Sequence, residues 1–335
     1  MSSKKILIFG GSGYVGSKLI VSLLKKKFIV FNYDINLFGL KHLPFKNKRF
    51  HQFTGDLRDY KKIKSIIKKK TPDTVIHLAC ISNDPSFMLD KKLSKEVNYD
   101  SFKELVKICK KTSIKKFIFA STCSVYGVSK KKKVTEDHKL NPVTFYNKYK
   151  ADCEKIFIKA LDNKFRGCII RPATVCGLSP KMRFDLTVNI LTNFAFKKGY
   201  IKVFGGKQKR PNVHIDDMVR LYVDLSKNNF SKINKEIFNF GFENLSINQI
   251  AKKAKIHVEK ISKNKIKILR QKSEDIRSYH VNSDKIKRVL NFRPRKKVSD
   301  AIKEICAVFK KNQLSDSFTN INYFNVEKLS KMNFK

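Results

Sequence analysis

A tyrosine and a lysine four residues apart are the side chains in this 335-residue chain best suited to proton chemistry. Tyr146 and Lys150 follow Asn141-Pro142 in a segment with helical periodicity, where residues four apart lie on one face. An ammonium group beside a phenol favours the phenolate and lowers a pKa that is normally about 10. Such a tyrosine can take the proton from a hydroxyl group while hydride leaves the same carbon for a nicotinamide. A lysine-rich helix shows this spacing by chance, so the pair needs support from other segments.

A second candidate segment follows the apolar run 116–121. Its sequence is Ser121-Thr122-Cys123-Ser124-Val125-Tyr126-Gly127. A hydroxyl group at the end of a strand can hydrogen-bond to the reacting oxygen. Cys123 has two interpretations, an acid or base, or a small residue that fills space in a loop, and the second is the more common use of cysteine.

The glycine run near the start of the chain predicts a dinucleotide site. The apolar residues 6–9 predict a buried strand, and Gly10-Gly-Ser-Gly13-Tyr14-Val15-Gly16 then leads directly into a predicted helix. Small residues let the backbone approach a pyrophosphate, and the helix N-terminus offers free N–H groups. The alternative is a glycine turn between two core elements that binds nothing.

An acid after the second predicted strand indicates which dinucleotide binds. Asp34 lies eighteen residues beyond Gly16. A carboxylate there accepts hydrogen bonds from ribose hydroxyls and repels a 2′-phosphate. Residues 35–38 contain no arginine that could bind such a phosphate. The sequence therefore favours NAD over NADP, although an aspartate can also simply end a strand.

The first half of the chain alternates short apolar runs with helical patterns, which predicts a Rossmann-type α/β fold, a doubly wound parallel sheet. Predicted strands are 5–9, 28–33, 50–53, 74–79, 116–121 and 167–171, and predicted helices are 14–26, 59–70, 92–112 and 144–162. The candidate residues all follow strands, so they should meet at the carboxyl edge of the sheet. We expect an NAD-binding domain over 1–175 with a return segment near 212–240, a smaller substrate-binding lobe over 176–311, and a C-terminal tail, 312–335, on the surface.

Composition limits the classes of function. The net charge of +45 is extreme, but the lysines are spread along polar helix faces and their densest clusters lack interleaved aromatic residues, so no nucleic-acid partner is expected. The seven cysteines contain no Cys-x-x-Cys pair, which is typical of reduced thiols in a cytoplasm. We find no signal peptide and no apolar run long enough for a membrane span. The prediction is a cytoplasmic globular enzyme, whose positive surface would attract an anionic ligand at low salt.

In its motifs and their order, the chain resembles the extended short-chain dehydrogenase/reductase family, specifically its NAD-dependent sugar-nucleotide epimerases and dehydratases. The segments that carry the resemblance span about residues 5–295 in family order. They are the Gly10/Gly13/Gly16 loop, Asp34, Gly55-Asp56-Leu57, His77-Leu78-Ala79-Cys80, Ser121–Gly127, Tyr146-x-x-x-Lys150, Arg171-Pro172-Ala173-Thr174-Val175-Cys176-Gly177 and Arg210-Pro-Asn-Val-His214-Ile-Asp216-Asp217.

The resemblance implies roles for individual residues. Thr122, Tyr146 and Lys150 would be catalytic, with Tyr146 as the base and Lys150 as its activator and a ribose ligand. The implied cofactor contacts are the glycine loop (Gly10, Gly13, Tyr14, Val15, Gly16), Asp34, Asp56 and Leu57 at the adenine, Leu78, and Ala79 at the nicotinamide ribose. Arg210 would grip the sugar-nucleotide pyrophosphate, a task suited to the guanidinium fork. Asp275 and Arg277 would add a further diphosphate contact.

Further substrate contacts are expected after the fourth and sixth predicted strands. Ser82 and Asn83 follow the fourth strand, where they either reach the sugar or form a turn with an Asx hydrogen bond. Thr174 occupies a position where many relatives have an asparagine that contacts the substrate. Arg183 either touches the phosphates or pairs with Asp185.

The residues after Thr122 bear on the reaction. Family 4,6-dehydratases have Asp-Glu at these positions, whereas this chain has Cys123 and Ser124, both of which we retain as possible catalytic residues. The sequence thus favours an epimerase that oxidises and re-reduces a sugar hydroxyl, with C4 as the expected carbon. The alternatives are a 4,6-dehydratase, a decarboxylase or a 4-ketoreductase on the same scaffold, and then a non-catalytic NAD-binding or RNA-associated protein. Family members usually dimerise through helices that correspond to 92–112 and 144–162, so a homodimer is expected. No metal is expected, because His77 and His214 have no second ligand at a useful spacing.

Overall fold

A computed structural model describes residues 4–129, 133–272, 278 and 280–332. Within these ranges the strands are β1 (Lys5–Phe9), β2 (Ile29–Asp34), β3 (Phe50–Thr54), β4 (Thr74–His77), β5 (Lys116–Ala120), β6 (Arg166–Pro172), β7 (Thr174–Cys176), β8 (Tyr200–Phe204), β9 (Lys209–His214), β10 (Ile237–Phe240), β11 (Glu243–Ser246) and β12 (Lys267–Gln271). The helices are α1 (Tyr14–Lys25), α2 (Tyr60–Lys70), α3 (Asp84–Leu89), α4 (Lys91–Lys95), α5 (Ser101–Lys110), α6 (Phe145–Ala160), α7 (Thr187–Lys198), α8 (Ile215–Lys227), α9 (Ile247–Ser262), α10 (Asp284–Leu290), α11 (Val298–Lys310) and α12 (Asn325–Ser330).

The described strands form a seven-stranded parallel sheet in the order β10-β6-β5-β4-β1-β2-β3. A three-stranded sheet, β11-β9-β7, and a two-stranded sheet, β12-β8, lie in the remainder of the chain. The order reverses at β1, so the carboxyl ends of β1 and β4 flank a topological switch point. The predicted Rossmann-type fold is confirmed.

The sheet is parallel and apolar because helices cover both of its faces. In β1, Ile6 and Ile8 face a core that contains residues of α1 and α8. Leu7 and Phe9 face a second core, with residues of α2, α5 and α6. Alternate residues of a strand point to opposite faces, so an unbroken apolar run is what a strand covered on both sides requires.

The predicted helix over 92–112 is interrupted in the structure. A π-helical turn, Glu96–Asp100, separates α4 from α5. Within this turn the buried Asn98 side chain accepts a hydrogen bond from Ile81 N (2.8 Å) and donates one to Ile81 O (3.0 Å). Single π-turns often occur beside functional sites, and this one fixes the loop that follows β4.

After β6, part of the chain completes the large sheet and its helical cover, and the rest forms a separate lobe and a C-terminal segment. The expected return segment, 212–240, contains α8, which packs on α1, and β10, which pairs with β6. A third core, formed by residues of α7, α9, α11 and β8, lies in the lobe. Residues 312–332 then run back across the lobe to the side of the large sheet and contact α3. The expectation of a tail lying on the surface missed this contact.

A buried ion pair joins β5, α6 and β6. Arg171 donates from Nη2 to Glu154 Oε2 (2.6 Å) and from Nε to Oε1 (3.0 Å), and both side chains are under 5% exposed. The Ser121 hydroxyl donates to the same carboxylate. Since Ser121 precedes Thr122 and Glu154 lies one turn after Lys150, this pair fixes α6 against the end of β5.

We predict that Glu154→Ala lowers the free energy of unfolding by about 3–5 kcal/mol, because it leaves Arg171 buried without its counter-ion. Asp152→Ala is the matched control, since Asp152 pairs with the exposed Lys155 on the same helix and its loss should cost about 1 kcal/mol or less. Urea unfolding of the two variants measures the difference. Equal effects at the two positions would contradict the assigned role of the buried pair.

Candidate active site

A cleft of about 540 Å³ opens at the carboxyl edge of the large sheet. The residues predicted to bind the cofactor all line it: Gly10, Gly13, Tyr14, Val15, Gly16, Asp34, Asp56, Leu57, Leu78, Ala79 and Lys150. The predicted catalytic residues Thr122, Ser124 and Tyr146 line it too, as do the predicted substrate residues Ser82, Asn83, Thr174, Arg183 and Arg210. Segments more than 150 residues apart in the chain therefore meet in one cavity.

The glycine loop is shaped to receive a phosphate group. Gly10 has φ +85°, and a Cβ atom there would lie 2.5 Å from the backbone N of Ala79. A Cβ atom at Gly16 would lie 2.5 Å from Gly11 Cα. Gly13, the N-cap of α1, contributes no side-chain hydrogen bond, so the N–H groups of the first helical turn face the cleft uncapped. Uncapped N–H groups at a helix N-terminus bind phosphate.

The end of β2 carries the expected acid. The Asp34 carboxylate accepts hydrogen bonds from Ser12 N (2.9 Å) and Asn36 N (2.8 Å), which fix its orientation at the cleft wall. Burial raises the pKa of Asp34, while these two backbone bonds lower it. An oriented carboxylate beside an uncapped helix N-terminus fits the adenosine ribose and pyrophosphate of NAD.

A chain of hydroxyl groups links the loop after β5 to α6. Thr122 Oγ1 lies 2.8 Å from Ser124 Oγ, and Ser124 Oγ donates to Asn147 Oδ1 at 2.5 Å. The backbone makes this possible by a 3₁₀ turn, Cys123–Tyr126, that Thr122 caps by accepting from Ser124 N. Thr122 is thereby held at the cleft wall with its hydroxyl in a network that includes the residue after Tyr146.

Burial controls the chemistry of Tyr146. It raises the pKa of Tyr146 well above the ordinary range, Cys80 and Asp84 raise it further, and Arg183 lowers it. From the sequence, Lys150 is expected to lower the pKa of Tyr146. The structure corrects this expectation, because the Lys150 ammonium group binds a backbone carbonyl. Lys150 Nζ donates to the carbonyl oxygen of Ala120 (2.9 Å).

Cys80 lines the cleft, although no role for it is predicted from the sequence. It follows β4, is half-buried, and its thiol contacts the Tyr146 hydroxyl. The other cysteines of the chain are buried. A cysteine next to a small residue in an apolar segment has no pattern that marks it, so only the fold shows its contact with the tyrosine.

Cys123, in contrast, does not line the cleft. Its side chain is 1% exposed, and Sγ donates to the carbonyl oxygen of Arg171 (2.8 Å). Burial raises the pKa of the thiol. The 3₁₀ turn directs this side chain into the protein, so the structure corrects the hypothesis that Cys123 acts as an acid or base and supports its use as a space-filling residue.

The predicted substrate residues take different positions. Asn83 caps α3 by accepting from Ser86 N (2.9 Å), which is the turn interpretation. Arg183 pairs with Asp185 (Nε–Oδ1 2.6 Å), which is one of its two interpretations, and also donates to Ser82 Oγ (3.2 Å) at the cleft wall. Its contact with a phosphate stays a prediction. Arg210 donates to the carbonyl oxygen of Lys209. The predicted contacts at Asp275 and Arg277 lie outside the described residues.

One cluster of possible metal ligands forms away from the cleft. Ligand atoms of His214, Asp216 and Glu304 lie within 4.8 Å of one another, although the sequence spacing indicated no second ligand for His214. Lys18 and Lys296 bind these carboxylates. The two lysines balance the two acids, so the cluster stabilises the contact of α1, α8 and α11. Among the described helices, none combines the length and apolar character needed to cross a membrane.

Comparison with known proteins gives a consistent result. The model of the NAD dependent epimerase/dehydratase family matches residues 6–241. A UDP-glucose 4-epimerase of Lactobacillus helveticus is 28% identical over 272 residues, 74% of this chain and 81% of its own length. A dTDP-D-glucose 4,6-dehydratase of Dictyostelium discoideum is 29% identical over 269 residues, 73% of this chain and 60% of its own. The solved UDP-glucuronic acid 4-epimerase of Bacillus cereus, in complex with UDP-glucuronic acid and NAD, superposes with a TM-score of 0.79 at 26% identity, over 92% of this chain and 99% of that one.

Gly13→Ala separates the binding role of the glycine loop from its structural role. A Cβ atom at Gly13 has only an ordinary contact inside the protein, 3.4 Å from Gly10 O, so the free energy of unfolding without ligand should fall by about 1 kcal/mol or less. The added methyl group faces the cleft, so the Kd for NAD, measured by calorimetric titration, should rise about ten-fold or more. Gly16→Ala is the contrast, since it clashes with backbone and should destabilise the ligand-free protein. Wild-type affinity for NAD in Gly13→Ala would show that no phosphate lies against this turn.

Proposed function

Since this chain belongs to the NAD-dependent epimerase/dehydratase family, we propose that it is a sugar-nucleotide epimerase that inverts a sugar carbon, C4, by transient oxidation and re-reduction. One observation carries the choice of reaction. Thr122, Tyr146 and Lys150 line the cleft together, while the two positions after Thr122 hold a buried thiol and a hydroxyl in place of carboxylates. The site has a base for the sugar hydroxyl and no acid pair beside Thr122 for removing water.

Each of the cleft side chains has its own role in the proposed reaction. When bound, NAD⁺ supplies the acceptor and later the donor of a hydride. Tyr146 takes the proton of the sugar hydroxyl and returns it after the sugar has turned. Thr122 Oγ1 lies 2.8 Å from Ser124 Oγ, and its hydroxyl hydrogen can turn from Ser124 to the same sugar oxygen when substrate binds. Arg183 favours the phenolate of Tyr146, since it lowers that pKa.

The substrate proposed for this cleft is a nucleotide-diphosphate sugar. Arg183 and Arg210 line it with guanidinium groups, which suit the oxygens of a diphosphate. The net charge of +45 attracts such an anion at low ionic strength. The proteins compared above act on or bind UDP- and dTDP-linked sugars by their names, which supports the class. A homodimer and a cytoplasmic location stay predictions.

Asp84 favours a second candidate, water elimination on the same scaffold. It lies at the start of α3, lines the cleft, and is close enough to Tyr146 to raise its pKa. Its carboxylate accepts a hydrogen bond from the Thr144 hydroxyl, which caps α6. A carboxylate in that place can serve as the acid or base that a dehydratase needs.

Tyr146→Phe tests the proposed base. We expect a loss of about 10²- to 10⁴-fold in kcat, because the proton acceptor is removed while the ring remains. Tyr149→Phe is the matched control, since Tyr149 lies on the same helix but packs against Phe87 and Tyr99 and should keep the wild-type rate. The assay incubates the NAD-loaded protein with UDP-, GDP-, CDP- and dTDP-sugars and identifies products by NMR. Equal rates for Tyr146→Phe and wild type would refute the role.

The product distinguishes the candidate reactions. An epimer formed without net change in NAD supports the epimerase. A 4-keto sugar that Asp84→Asn no longer forms selects the dehydratase. Stoichiometric consumption of added NADH or NAD⁺ selects a reductase or dehydrogenase, and no turnover of any sugar leaves only dinucleotide binding.

The pH dependence of turnover should change in Cys80→Ala. The thiol raises the pKa of Tyr146, so its removal lowers that pKa. A base works only when deprotonated, and activity is therefore lost as pH falls through its pKa. The acidic limb of the kcat profile should move to lower pH in Cys80→Ala and stay in place in the control Cys306→Ala, whose thiol is buried in the lobe. A limb that moves to higher pH in Cys80→Ala would contradict the contact.

A further inference from the structure

The C-terminal segment, residues 312–332, is fastened to the lobe before it reaches the cleft. Ser317 is fully buried and exchanges two hydrogen bonds with Asn193 of α7, Oγ to Oδ1 (2.8 Å) and Nδ2 to the Ser317 carbonyl (3.2 Å). The Phe318 ring packs edge-on against Phe194, with centroids 4.8 Å apart. A segment held by a buried polar pair and a ring contact has a defined path.

Beyond these anchors the segment touches both walls of the cleft. On the lobe side, Asn325 N donates to Asp185 Oδ2 (3.1 Å). On the dinucleotide side, α12 packs against α3, and Leu329 is 8% exposed and lines the cleft. The segment therefore bridges the two parts of the molecule at the mouth of the cleft.

The Asn325 side chain is the centre of this bridge. Its Oδ1 accepts from Lys181 Nζ (3.1 Å), and its Nδ2 donates to Ser82 Oγ (3.0 Å). An ammonium group can only donate, so the amide oxygen must face Lys181 and the amide nitrogen must face Ser82. The amide thus joins the loop after β7 to the loop after β4.

Lys181 is a buried lysine whose amine contacts neutral groups. It is 4% exposed, its Nζ lies 3.6 Å from the centroid of the Phe38 ring, and its hydrogen bond goes to Asn325. Among the described residues, no aspartate or glutamate forms an ion pair with it. Burial, and then Arg183, lower its pKa to about 7, against weaker opposing effects of Asp185 and Asp34. A buried charge without a counter-ion is costly, and a bound anion would remove that cost.

The position of Lys181 indicates which anion. Its backbone N donates to Ser17 Oγ (3.2 Å) in α1, the helix whose uncapped N-terminus faces the cleft. Lys181 lines the same cleft as Gly13 and Arg183. Cationic side chains and a helix N-terminus that face one cavity suit the negative oxygens of a diphosphate.

We propose that the C-terminal segment is part of the ligand-binding site: it closes the cleft over a diphosphate group, Lys181 binds that group, and Asn325 positions Lys181. The proposal rests on the NAD site and on the proposed substrate class, because both NAD and a nucleotide sugar carry a diphosphate. Affinity for one of these ligands then depends on residues near the end of the chain.

Binding assays on the full-length protein test this without turnover. Lys181→Met should weaken ADP by about ten-fold or more, as expected for a lost charged hydrogen bond, and leave adenosine unchanged. Asn325→Ala should act in the same direction, and Lys181→Arg should restore part of the affinity. Glu327→Ala, exposed on α12, and Lys202→Met, exposed on β8, are controls for the segment and for the loss of charge.

The source of the diphosphate follows from two arms. If NAD and ADP bind more weakly while UDP binds the NAD-loaded protein normally, the diphosphate is that of the dinucleotide. If UDP binds more weakly while NAD and ADP bind normally, it is that of the nucleotide sugar. Either result supports the proposal. Lys181→Met and Asn325→Ala that bind all three ligands like the two controls would overturn it. Trypsin cleavage at Lys328 gives an independent readout, since the bound ligand should slow it in wild type but not in Lys181→Met. Failure of the epimerase assay leaves these binding results unaffected, so the two proposals fail separately.

Discussion

The parallel sheet places every strand's carboxyl end at one edge, and the site depends on this constraint. Gly10 follows β1, Asp34 ends β2, Ala79 follows β4 and Thr122 follows β5. Parallel strands need long crossover connections, most of which are helical here, and covering both faces with helices leaves the edge as the place where loops meet. One apolar run, β1, supplies both cores because its residues alternate between the faces. The position of the cleft therefore follows from the burial of the sheet and does not depend on the side chains that line it.

A second set of contacts holds α6, the helix that carries Tyr146 and Lys150, against that edge. Glu154 in α6 binds Arg171 of β6 and Ser121 at the end of β5, all within the protein. Asn147 in the same helix binds Ser124 of the neighbouring loop. A buried ion pair adds little net stability, but its loss leaves an uncompensated charge, so its geometry is strongly specified. These contacts fix the positions of Tyr146 and Lys150.

Local sequence patterns predicted the sheet, the glycine loop, Asp34 and the Tyr146–Lys150 pair, because periodicity and spacing within a segment determine them. They failed where contacts join distant segments. The direction of the Cys123 side chain depends on a 3₁₀ turn. The pKa of Tyr146 depends on burial and then on Cys80, which no spacing links to it. Lys181 lies close enough to Asp34 for the two side chains to interact, but it comes from a distant segment of the chain. Residues 35–38, which follow Asp34, contain no basic residue. The C-terminal segment looked like a polar tail because its partners lie more than 100 residues away.

In the proposed reaction, one sugar carbon is oxidised and re-reduced in the cleft without release of the hydride. A nucleotide sugar that carries deuterium at the carbon to be inverted tests this most directly, with the NAD-loaded protein in ordinary water. The expected product is an epimer that keeps its deuterium at that same carbon, since the hydride returns from the site to the carbon it left. An epimer with hydrogen from water at that carbon would mean proton exchange in place of hydride transfer and would contradict the claim.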